Sequence, residues 1–180
     1  MKLFTRRVPL WGLLLALVVI LCCTVQIGAE VKLHRTQRSA FIQSLMAYAN
    51  GISQNLSNAS VNTFDSEGMV AELTGARLHS EQLCILLYRI PEHTVFGHEK
   101  GLLDELSGSP DLAFAYVRSQ LNEILNEYLE KNCLSAKSLS TIQLISDAFS
   151  SFYDSLDGQD YVSQKSLISY MDTLCTTIYP

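Results

Sequence analysis

The chain of 180 residues is 48% hydrophobic and 17% charged, with a formal net charge of -5. That length suits one compact domain, since domains commonly run to ~100–200 residues, and the apolar content excludes an intrinsically disordered chain. The acidity excludes a simple binder of phosphate backbones, which gathers Lys and Arg, so no nucleic-acid partner is expected.

The charges are unevenly placed. Lys2, Arg6 and Arg7 precede an uncharged run from Val8 to Ala29, and residues 30–180 hold ten basic against eighteen acidic residues, a net of -8. As a helix, the run spans ~33 Å, which matches the ~30 Å hydrocarbon core of a bilayer. The chain therefore divides into a short basic cytoplasmic N-terminus (1–7), a transmembrane anchor or signal peptide (8–29) and an extracytoplasmic helical domain (30–180). Trp11 suits the membrane interface, and Cys22 and Cys23 read as apolar residues of the span. The length favours an uncleaved anchor, with the lipid bilayer as partner through 8–29. Cleavage near Ala29, after Ile27-Gly28-Ala29, is the alternative and would release a secreted chain. Orientation rests on a near balance. Lys32, Arg35 and Arg38 follow the run, three cations on each side, and the N-terminal amine tips the N-terminus inward.

Beyond the run, apolar residues recur at helical spacing. Phe41, Leu45, Tyr48, Ile52 and Leu56 form one stripe, on a helix that the spacing allows to continue from the span through Lys32–Arg38. Asn50 to Asn62, rich in Asn, Ser and Gly, reads as a polar surface turn. Asn55-Leu56-Ser57 and Asn58-Ala59-Ser60 within it match the glycosylation pattern, which carries meaning only in a secretory eukaryotic chain. Met69, Leu73, Ala76, Leu83, Leu87 and Ile90 make a second stripe, which Pro91 ends. A short helix is expected around Glu99–Leu106. Ser109, Pro110 and Asp111 mark a third long start, with Phe114, Val117, Leu121, Ile124, Leu125 and Tyr128 on its inner face. A fourth helix carries Ile142, Ile145, Phe149, Phe152 and Leu156 and closes at Gly158. Asp160 caps the last, which buries Leu167, Met171, Leu174 and Ile178. With no hairpin signal, the fold class is all-α: an N-terminal transmembrane or signal helix, then an antiparallel bundle of about five helices.

Three cysteines follow the run. Up-down-up connections after residue 110 would bring Cys133 and Cys175 to one end of the bundle, and a bridge between them would contribute ~4 kcal/mol in the chain-entropy model. The competing reading is three reduced, buried thiols. No catalytic constellation is complete. His79 and Cys84 point ~140° apart on one helix, and Glu123, Glu127 and Glu130 read as a solvated face. Glu92-His93 and His98-Glu99 form the densest polar group, but Leu102 stands where a zinc-protease helix would place its second histidine. No metal ligand, cofactor or catalytic residue is therefore assigned, and a metal-dependent enzyme through His93 and His98 is the least favoured reading. The layout of basic start, one span and outward helices resembles bacterial membrane-tethered sensor or accessory modules. Through the helix end at Leu83–Pro91 it also has a layout-only similarity to the anchored segment of spore-germination proteins. The expected function is a noncatalytic, membrane-tethered module that binds another extracytoplasmic protein; a secreted helical ligand or inhibitor is the alternative.

Overall fold

The computed structural model describes residues 10–61, 66–88, 110–159 and 162–179. Among the described residues every regular element is an α-helix: α1 (Leu10–Val61), α2 (Ser66–Tyr88), α3 (Pro110–Lys131), α4 (Ala136–Leu156) and α5 (Gln164–Ile178). Ile90, the His93–His98 segment and the candidate helix at Glu99–Leu106 lie outside the described residues.

Contacts divide the chain into two units, Met1–Arg38 and Ser39–Pro180. In the first unit, α1 presents its apolar side chains outward. Leu17, Val18, Val19, Ile20, Leu21, Val25 and Ile27 are each 51–65% exposed. Thr24 closes its own hydroxyl onto the Leu21 carbonyl at 2.8 Å, so the polar group makes no demand on its surroundings. This helix is long and apolar enough to span a membrane or to serve as a signal sequence near the N-terminus.

The second unit is a helical bundle around one core. The stripes read from the sequence are the buried faces. Phe41, Leu45, Ile52 and Leu56 of α1 are buried, as are Met69, Leu73, Ala76, Leu83 and Leu87 of α2 and Phe114, Val117, Leu121, Ile124 and Tyr128 of α3. In α4 and α5 every residue of the expected stripe is buried, from Ile142 to Leu156 and from Leu167 to Ile178. Tyr48 and Leu125 flank the core. Each fully buried side chain of this size contributes ~1.5–3 kcal/mol, and that shared burial, rather than local propensity, selects the helices.

Three expectations are corrected. First, Asn50–Val61 is helix, not a turn. Ile52, Leu56 and Ala59 are fully buried, and their burial outweighs the weak helix propensity of Asn, Ser and Gly around them. Second, α5 begins later than Asp160. Ser163 is its N-cap, and its side chain accepts from the Ser166 amide at 3.0 Å. Ser135 caps α4 in the same way through Ser138 at 3.2 Å, which satisfies amides that otherwise lack an intrahelical partner. Third, the Cys133–Cys175 bridge is not formed, and both thiols are free. The Tyr179 ring, one turn after Cys175, rests on Tyr116 with centroids 5.7 Å apart, beside the opening turns of α3. Cys133 follows the far end of α3, past Lys131, ~22 Å of helix rise beyond Tyr116.

Candidate functional site

The α1–α2 contact is built from small residues and one polar clamp. A Cβ at Gly51 would lie 2.7 Å from Cδ2 of His79, and one at Gly75 would collide with the Asn55 amide. Each glycine thus receives a side chain from the facing helix. With its amide oriented by the hydrogen-bond network, Asn55 donates to Glu72 Oε2 at 3.1 Å and accepts from the Ala76 amide at 3.1 Å. Asn58 donates to the other carboxylate oxygen of Glu72 at 3.3 Å. As α1 numbers rise, the α2 partners fall, so these two helices run antiparallel. His79 also faces Tyr48, ring centroids 6.1 Å apart. On the other side of α1, the buried Ser146 of α4 donates to the Ser53 carbonyl at 3.0 Å. These polar contacts fix register, because sliding α2 would strip the half-buried Asn55 amide of its partners and sliding α4 would leave the buried Ser146 hydroxyl unmatched.

The α2–α3 contact leaves a groove of about 640 Å³. Ala71, Thr74 and Gly75, none with a long side chain, form part of its α2 wall. Tyr128, 5% exposed, lines it, and Leu78 and Leu129 line it at 48% and 62% exposure. Arg77 donates to Asn122 at 3.3 Å and bridges α2 to α3 outside the groove. The lining contains no His, Cys, Ser or Lys, and its one ionisable carboxylate is Glu67. Chemically it offers a receptacle for apolar side chains, of a volume typical of ligand sites.

A second, polar hollow of about 380 Å³ lies at the α3–α4 turn. Here the expectation of a solvated carboxylate face holds for Glu123 and Glu130, which are exposed, and fails for Glu127. Glu127 accepts from Ser138 Oγ, from Ser135 Oγ at 3.1 Å and from Lys131 Nζ at 3.3 Å. The Ser138 hydroxyl, with Lys131 and Ser135 behind it, holds the carboxyl down at about 2 against a partial desolvation that pushes the other way. The sequence signal was the Ser135-x-x-Ser138 cap directly after the turn, opposite Glu127.

His79 and Cys84 do not meet as a pair. His79 rests on Gly51 and Tyr48 of α1, whereas Cys84 packs against the core. The Cys175 thiol is pushed up to about 11 by burial, with a smaller contribution from Asp172. Among the described residues no group of three or more His, Cys, Asp and Glu is placed to hold a metal ion. No protein-family model matches the chain, and neither a curated protein nor a solved structure matches it.

Proposed function

We propose that the chain is a single-pass membrane protein whose acidic helical unit, outside the cytoplasm, is a noncatalytic binding or scaffold module engaging a partner protein through the α2–α3 groove. The observation that supports this most is the exposed apolar face of α1. The seven large apolar side chains between Leu17 and Ile27 stay more than half exposed, on a segment with no charged residue from Val8 to Ala29. Leaving such a surface in water costs ~25 cal/mol per Å², and hydrocarbon removes that cost. The groove fits recognition of one apolar face of a partner helix, a mode set by hydrophobic anchors rather than by chemistry at a reactive group.

Alkaline washing of membranes tests the anchor: full-length chain stays in the pellet, and release into the wash overturns it. Protease treatment of sealed cells or vesicles tests orientation, with digestion of residues after 38 only from the outer side expected. Crosslinking to a copurifying protein tests the groove. Leu78→Asp with Leu129→Asp should abolish the crosslink, whereas Leu144→Asp, a similarly exposed leucine on α4, should keep it. The reverse pattern rejects the groove.

The secreted alternative is favoured by one observation. The packed unit begins at Ser39 and its first buried residue is Phe41, so cleavage after Ala29 would remove none of the core. Intact mass of the mature protein decides between the two.

A further inference from the structure

We infer that the turns of α1 directly after the apolar run form a binding collar for anionic phospholipid headgroups, built on Lys32 and Arg35. Both side chains are exposed. At 3.6 residues per turn they lie ~60° apart around the helix, while Glu30 lies ~140° or more from each. The nearby acid is thus turned to another side and does not neutralise the pair. Val31 and Leu33, 46% and 57% exposed, alternate with the cations. A helix surface that mixes exposed aliphatic groups with long basic side chains suits the boundary between hydrocarbon and headgroups, where the stems lie in the apolar layer and the charges reach phosphate. Arg38, one turn further, is half-buried and has an interaction of its own within the chain, so the collar does not depend on it.

Charge complementarity and continuity with the span select the occupant. Residues 39–180 contain seven basic and seventeen acidic residues, a net of -10, which an anionic surface repels. Lys32 and Arg35 reverse that sign only where the apolar run ends, within a few residues of the expected headgroup level. The inference rests on the membrane reading of α1, and its test separates the two.

The full chain, carrying Trp11→Phe and Val31→Trp so that its only tryptophan sits beside the collar, is reconstituted into phosphatidylcholine vesicles containing a minor share of phosphatidylglycerol. Quenching by brominated phosphatidylglycerol is compared with quenching by brominated phosphatidylcholine at equal mole fraction. The expected local enrichment of the anionic lipid is roughly fivefold per cation at low salt, and it weakens as salt rises. Lys32→Gln with Arg35→Gln should bring the two quenchers level, and Glu30→Gln should not reduce the preference. Equal quenching in the parent chain, or a preference that survives loss of both cations, overturns the collar. Alkaline washing of the same vesicles reads the anchor separately. Retention without lipid preference removes the collar alone, and release with preference intact removes the anchor alone.

Discussion

Gly75 has no Cβ because the Asn55 amide occupies the position where one would be. Gly75→Ala must push that amide away from Glu72 and Ala76, which adds overpacking to the loss of two hydrogen bonds. A destabilisation of ~1–3 kcal/mol is expected from denaturant unfolding followed by circular dichroism, and a neutral result would mean that the α1–α2 seam is looser than its geometry. The same seat makes Asn55 a poor glycan acceptor in the folded chain, whatever its tripeptide. Glu127 gives a pH dependence with a definite sign. Its folded value is below the ordinary 4.5, at about 2, so its contribution is complete above ~4.5 and is lost as pH falls toward 2. Carboxyl carbon NMR should show this low titration, and Glu127→Gln should flatten the acid-induced rise in amide exchange at Ser138. The cysteines differ in reactivity for physical reasons. Cys133 is exposed, whereas Cys175 is buried and its thiol is raised to about 11. At mildly alkaline pH, maleimide should modify Cys133 before Cys175. Cys175 holds about a hundredfold less thiolate than an ordinary thiol and should react only on unfolding.

At the scale of elements, α4 shows what a sequence reveals well. Its stripe from Ile142 to Leu156 keeps helical spacing throughout, and each of those positions is buried. Phe149, fully buried, joins the core shared by all five helices, so Phe149→Ala should cost ~3–5 kcal/mol in the same unfolding assay. A loss below ~1 kcal/mol would show that the core collapses around the vacancy. The end of α1 shows the opposite case. Asn50–Asn62 has the composition of a turn, and only the facing helix supplies the reason for it to stay helical: Gly51 and Asn55 are interface residues there, not loop residues. The Cys133–Cys175 expectation failed for a related reason. Alternating directions are readable from short connections, but axial offset is not, and α5 brings its last turns beside the start of α3 rather than its end. The groove was equally illegible. Nothing about Ala71, Thr74 and Gly75 marks a groove wall until Tyr128 and Leu129 of α3 are set beside them, whereas the uncharged run of α1 was plain from its length alone.

For the whole molecule, the boundary between Arg38 and Ser39 carries the main consequence. A helix that runs through this point holds two kinds of surface: an apolar face exposed up to Leu33 and a core face buried from Phe41 onward. On the proposed anchor reading the two faces have different solvents. If the first belongs to lipid and the second to the bundle, removing the first should leave the second intact. A chain beginning at Glu30 should therefore stay in solution without detergent, unfold in one cooperative transition, and keep the helical circular dichroism of the bundle. Its net charge of -8 favours solubility, and its core retains every buried residue of the second unit. The full chain should instead require detergent or vesicles, since the exposed leucines, valines and isoleucines of α1 would otherwise drive association. Sedimentation velocity and thermal unfolding of the two forms check this together. Aggregation or loss of helix in the shortened chain would show that the N-terminal half of α1 is part of the folded core, and the anchor reading would fall with it.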